Sequence, residues 1–241
     1  MQQPPSFAAM TVCIRRALFM LLAGCWLVSQ VGCREQQRNA WLEQLELVRA
    51  GQATRIEIAD QLVQDHQLQQ LANLETLREL ILDETCVTDR GLQALTQLPR
   101  LEHLRLRGAV ITDVGARELS KLSSLRRLNL PQADLTNAGF QSLLELPQLE
   151  LLRLGSPQLT DAAFSEIASA RHLLFLHLIQ VPITDAGLEH LQAATQLQSL
   201  YLDEAQVTDA GVERLLKHLP RLHLHLDQRH SDRDPNRHSH S

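Results

Sequence analysis

The chain has 241 residues, 44% hydrophobic and 21% charged, which is ordinary globular composition with enough length to bury a core. Its formal net charge of −5 gives no whole-protein case for nucleic-acid binding. Aromatic residues make up only 3% and leucine dominates the apolar set, which suggests stacked, equivalent layers rather than an irregular interior.

The first 33 residues read as an export signal. Arg15 and Arg16 precede an apolar run, "ALFMLLAGCWLV", and a polar exit, "REQQRN", follows Cys33. The run is short for a spanning helix, although a signal anchor stays open. Cys13, Cys25 and Cys33 lie in this segment, leaving Cys86 as the one thiol of the folded part and no intrachain disulfide framework. No CxxC pair or Cys/His zinc spacing is present.

Residues 34–52 contain "WLEQLELVRA", which places Trp41, Leu42, Leu45 and Val48 on one helical face and predicts a capping helix. From there to residue 227 one frame recurs every 24 residues, with copies starting at Leu77, Leu101, Leu125, Leu149, Leu173 and Leu197. It reads L-x-x-L-x-L, four further residues, an aliphatic residue, then T-(D/N)-x-(G/A) and an apolar pattern. A worn copy precedes Leu77, with Ile56, Ile58, Val63, Leu68 and Leu71 in register. A terminal strand, "LHLHLD", closes the array. Residues 228–241 hold no apolar residue except Pro235 and are expected to be disordered.

The end of L-x-x-L-x-L alternates as a strand with one buried face does, and neighbouring strands would pair in parallel. The second half of each unit reads as a helix. Thr88, Thr112, Thr136, Thr160, Thr184 and Thr208 then fall at helix N-caps, where a hydroxyl can accept from an otherwise unpaired first-turn N–H. Asp113 and its sisters fall at the first helical position, facing the positive end of the helix dipole. The pairs Ile111/Ala116, Leu135/Phe140 and Ile183/Leu188 have the spacing of a hydrophobic staple. The Thr-Asp oxygens could instead be a ladder of ligands, but only the structural reading accounts for every residue of the motif.

This frame resembles the leucine-rich repeat, in the short variety with "x-T-D-x-G-L-x-x-L", similar to GALA-type and cysteine-containing repeats. The resemblance covers about residues 53–227 and implies an α/β, right-handed solenoid: an arc with a parallel sheet on its concave side and helices on its convex side. With such a solenoid, a protein-binding scaffold is the leading expectation. The N-terminal segment resembles a bacterial lipoprotein signal. "Leu22-Ala23-Gly24-Cys25" matches the lipobox, while Cys33 has the more polar downstream context, so lipidation falls on Cys25 or Cys33. An exported protein held in the cell envelope follows as the expectation.

In a solenoid, binding residues are the non-repeating ones on the strand face. Arg105, Arg107, Arg127 and Arg153 form a basic centre suited to an acidic protein or polyanionic partner, because the guanidinium fork matches carboxylates and phosphates. Phe175, His177, Tyr201 and Asp203 form a second candidate patch; Tyr201 is the only tyrosine. The alternative is a metal- or polyanion-binding protein, with His225, Asp203 and Asp227 as ligands. No catalytic motif is present, no cofactor is implied, and the chain is expected to act as a monomer without nucleic acid.

Overall fold

The computed structural model describes residues 39–227 and 229–230; Cys25, Cys33 and the rest of the N-terminal segment lie outside them. Helix α1, Ala40–Arg49, begins where Asn39 Oδ1 accepts from the Leu42 N–H at 3.4 Å. Trp41, Leu45 and Val48, spaced i, i+4, i+7, are buried on one face. Leu42 does not join them: it is 48% exposed, because one residue turns the helix by about 100° away from Trp41. Gln44 does a second job. Its side chain accepts from the Glu57 N–H and donates to the Glu57 carbonyl, both at 2.7 Å. Glu57 lies on strand β1, Arg55–Ile58, so this amide covers the open edge of the sheet.

Strands β2 (Glu79–Leu82), β3 (His103–Leu106), β4 (Arg127–Leu130), β5 (Leu151–Gly155), β6 (Phe175–Ile179), β7 (Ser199–Asp203) and β8 (His223–Leu226) follow β1 in chain order within one sheet. All eight run parallel, and the register follows the repeat, as in Leu80↔Leu104 and Leu176↔Leu200. The strands pack on strands and the helical segments on helical segments, giving an open α/β solenoid. The leucine columns between the two layers, Leu80, Leu104, Leu128, Leu152, Leu176, Leu200 and Leu224 among them, are 0% exposed. A ninth strand, β9 (Arg229–His230), pairs antiparallel with β8, so the first residues of the expected tail extend the sheet; residues 231–241 lie outside the described residues. Cys86 is disulfide-bonded, which corrects the expectation of a lone thiol; no other described residue is a cysteine.

The helical layer consists of α2 (Asp65–Leu68), α3 (Asp89–Leu92), α4 (Asp113–Leu119), α5 (Asn137–Leu144), a 3-10 segment at Asp161–Ser169, α6 (Asp185–Leu191) and α7 (Asp209–His218). The staple pairs are buried, and Phe140 meets Phe164 of the next repeat edge-to-face with centroids 5.3 Å apart. Thr88, Thr112, Thr136 and Thr184 accept from the backbone N–H two residues on, and Thr208 from Gly211.

Thr160 departs from this pattern and makes no side-chain cap. The cause lies one repeat earlier. An Asp of the motif that is followed by another repeat reaches the Thr of that repeat through both oxygens: Asp89 Oδ1 accepts from the Thr112 N–H at 2.9 Å and Oδ2 from the Thr112 hydroxyl at 2.6 Å. Asp65, Asp113, Asp161 and Asp185 do the same for Thr88, Thr136, Thr184 and Thr208. A threonine that donates its proton to the carboxylate keeps lone pairs for its own helix. Before Thr160 the residue is Asn137, whose Nδ2 donates to the Thr160 hydroxyl at 2.8 Å, so the polarity is reversed and the helical segment that follows is 3-10.

The motif's glycine belongs to the same joint. A Cβ at Gly91, Gly115, Gly139, Gly187 or Gly211 would fall within 3.0 Å of the Oδ1 of the preceding repeat's Asp. Only the repeat that follows Asn137 carries Ala163 there. The Thr-Asp-x-Gly signature is therefore a carboxylate clamp between repeats as well as a helix start.

One clamp has a pH signature. Asp185 is held below the ordinary carboxylate range, first by the Thr208 hydroxyl, then by the Thr208 N–H, with Arg214 adding to it against the effect of burial. A carboxyl whose folded value is depressed contributes stability that is complete above its unfolded value and is lost as pH falls through the folded one. Asp185→Asn should therefore melt below wild type at neutral pH, with the gap closing on acidification. Melting curves across the acidic range check this; a gap that stays constant would remove the clamp's electrostatic role.

Candidate functional site

Alternation along each strand sends its non-leucine residues to the face opposite the helices, where they form three columns. The central column runs Glu57, Ile81, Arg105, Asn129, Arg153, His177, Tyr201, His225 in pairwise register. All four arginines of the expected basic centre lie on this face, but in different states. Arg105 is neutralised, its Nε 2.8 Å from Asp83 Oδ1 across the β2–β3 step. Arg127 is exposed in the first column beside His103, whose pKa is held down by burial first and then by Arg127. Arg107 and Arg153 converge instead. With Gln132, Gln180, Pro131 and Ile179 they line a cavity of about 350 Å³ at the margin of the sheet.

Neither Arg107 nor Arg153 has an ion-pair partner among the described residues. Arg153 Nε is buried without a hydrogen-bond partner. Its pKa is lowered by burial, then by the charges of Arg105 and Arg107, against the pull of Asp203. It remains charged, because a guanidinium does not deprotonate in proteins. Asn129 Oδ1 and Asp203 Oδ1 on this face also lack hydrogen-bond partners, as do Asp83 Oδ1 and Arg105 Nε, which are held together as an ion pair. Buried polar groups without partners cost free energy that a ligand's complementary groups can recover.

The second expected patch is a continuous stack. Tyr201 lies against His225 with centroids 4.0 Å apart and planes 8° from parallel, and against His177 at 5.2 Å on its other side. This leaves Tyr201 half-buried rather than a free-standing exposed ring. Phe175, also half-buried, lies in the first column on the same strand as His177. Asp203 is only 9% exposed, and its Oδ2 lies 2.8 Å from His177 Nε2. Through Oδ2 it positions His177, while Oδ1 has no hydrogen-bond partner.

The side chains of the alternative metal site are each in contact with another group of the chain. His225 is engaged with Tyr201, Asp203 with His177, and Asp227 Oδ1 with the Glu204 N–H at 2.9 Å. Among the described residues no group of three or more His, Cys, Asp or Glu side chains is assembled to hold a metal. A larger cavity of about 440 Å³ lies on the helical side, lined by Leu144, Pro147, Glu166 and His172 among others. No partnerless buried side-chain atom faces it. The sequence places Asp83 and Asn129 on the strand face but gives no sign that Asp83 pairs with Arg105, that Asn129 is left without a partner, or that Gln132 and Gln180 line a cavity.

Residues 73–95 and 97–120 match the family model described as Leucine Rich repeat. No curated protein matches the chain by sequence. Among solved structures the chain is similar to an internalin C2 from Listeria monocytogenes: 22% identical, with a TM-score of 0.61, over 82% of this chain and 87% of that one. At that identity the likeness carries the fold. No helix among the described residues is long and apolar enough to cross a membrane.

Proposed function

We propose that the chain, two of whose repeats match the leucine-rich repeat model, is a non-enzymatic scaffold that binds another protein through its strand face. The observation that carries this reading is the segregation of side chains. The helical face repeats one joint, whereas the strand face holds the non-repeating polar and aromatic residues, with buried polar atoms at Asn129, Arg153 and Asp203 left unpartnered. A folded chain gains by presenting such groups only to something that satisfies them. The pairing of Arg105 with Asp83 shifts the basic centre toward Arg107 and Arg153, and the partner's contacting surface is acidic there. The His177–Tyr201–His225 stack supplies a rigid aromatic contact beside it.

Export, and tethering by a lipid on Cys25 or Cys33, belong to the same proposal and rest on the apolar run and the lipobox pattern; the cysteine that carries the lipid is not the one bonded to Cys86. The scaffold acts as a monomer held in the cell envelope, without cofactor or nucleic acid. A photo-cross-linking residue placed at Tyr201 in the native host should capture a protein partner at much higher yield than one placed at Arg117, which is exposed on α4. Equal capture from both positions would overturn the choice of face.

A further inference from the structure

We propose that the Arg107–Arg153 cavity is a binding pocket for a carboxylate side chain carried on a peptide, an acidic residue of an extended segment in the partner. This rests on the strand-face reading above and narrows it to a ligand chemistry. Two guanidinium groups line one wall system of about 350 Å³, and neither is spent on an ion pair. Arg105, the neighbouring arginine, is already committed to Asp83 and Arg127 lies outside the cavity, so Arg107 and Arg153 are the two charges that share one pocket. An arginine fork binds a carboxylate through two parallel hydrogen bonds, and Arg153 Nε is a buried donor still lacking its acceptor.

A bare anion would leave the site half satisfied. Asn129, paired in register with Arg153 on the adjoining strand, holds a buried oxygen with no donor, and Asp203 Oδ1 is a second such acceptor. The ligand therefore brings N–H donors together with its negative charge. A peptide does this and inorganic phosphate does not: its amide N–H groups lie within a few ångströms of its acidic side chain, comparable to the strand spacing of about 4.8 Å that separates Asn129 on β4 from Arg153 on β5. The pocket walls fit the same occupant. Pro131 and Ile179 are apolar and take the methylenes of the side chain, while Gln132 and Gln180 offer amides at the rim. The Gln180 side chain is itself fixed, its Nε2 donating to Glu204 Oε1 at 3.0 Å.

The test is titration of the full chain, with the arginine Nε–H resonances observed by NMR and three probes compared: acetyl-Gly-Glu-Gly-amide, glutarate and inorganic phosphate. The tripeptide should move the Arg153 and Arg107 signals saturably and bind more tightly than glutarate or phosphate. Arg107→Gln, at an exposed position, should weaken the tripeptide roughly tenfold or more, and Arg153→Lys should weaken it despite keeping the charge, because lysine lacks the fork. Arg127→Gln, on the same face but outside the pocket, should leave it unchanged. No shift at saturating tripeptide, or equal weakening by Arg127→Gln, would overturn the pocket. Tighter binding of phosphate than of the tripeptide would overturn the peptide in favour of a simple anion. If the tripeptide fails while Tyr201 still captures a partner selectively, the strand-face reading stands without this pocket. If the tripeptide binds as expected while Tyr201 and Arg117 capture equally, the pocket stands and the strand-face reading falls.

Discussion

Replacing Gly139 by valine should lower unfolding stability by about 3 kcal/mol, a large effect for a residue on a short helix near the surface. The first atom of any side chain there would fall within 3.0 Å of Asp113 Oδ1, the oxygen that accepts from the Thr136 N–H. Either the clamp opens, exposing an N–H and a hydroxyl without their acceptor, or α5 moves off its neighbour and unpacks Phe140, which is 0% exposed. The mechanism can be separated from a general dislike of helical change by a double-mutant cycle. Asp113→Ala alone and Gly139→Ala alone should each destabilise. Combined, they should cost clearly less than their sum, because the alanine at 139 then fills the space the carboxylate left. Urea unfolding of the three variants reads this directly, and strict additivity would show that glycine is needed for some other reason. Ala163 is the chain's own version of the experiment: the repeat that follows Asn137 instead of Asp carries a Cβ, loses the threonine cap and is 3-10.

Trp41→Ala should cost about 3–5 kcal/mol, the range for emptying a large aromatic site in a core. The indole is 1% exposed, lies over the first repeat, and donates Nε1–H to Gln70 Oε1 at 3.1 Å. The loss should also be localised. In a stack where each layer contacts only its neighbours, damage to one end weakens that end first. Amide exchange should accelerate across β1 and β2 while β6 and β7 stay protected. Uniform acceleration along the whole array would mean that the repeats unfold as one unit and that α1 is not a separate cap.

The fold was legible because the repeat is a periodic constraint. Leucines recurring every 24 residues predict which residues pair across strands, and the structure pairs them so. The cap threonines were legible for a local reason, since a hydroxyl and the N–H it receives lie within a few residues. The clamp was not. Asp113 was placed at a helix dipole because its own neighbours suggest that, while its two strongest contacts are to Thr136, 23 residues away. The chain did contain a clue: the one repeat with Asn in place of Asp is followed by the one repeat with Ala in place of Gly. Leu42 was misplaced for a simpler reason, since four apolar residues within one short helix cannot all fit the arc that three of them fill.

The site was legible only as a face. Alternation along the strands located Arg105, Arg107, Arg153, His177 and Tyr201 together, but charge counting treated the arginines as equivalent. Their differences come from rotamers and neighbours: Arg105 reaches Asp83, and Arg153 reaches no acceptor. Similarly, the register that brings Asp203, His225 and Asp227 to one end of the sheet does not show what each side chain touches. Stacking on Tyr201 takes His225, and His177 takes Asp203.

The division of labour between the two faces is tested most directly by the ratio of partner captured from a cross-linker at Tyr201 to that captured from one at Arg117, in full-length protein whose melting matches wild type. The expected ratio is well above one, and it should collapse when Arg153 is changed to glutamate without a change in melting. A ratio at or below one in correctly folded protein would contradict the assignment of binding to the strand face.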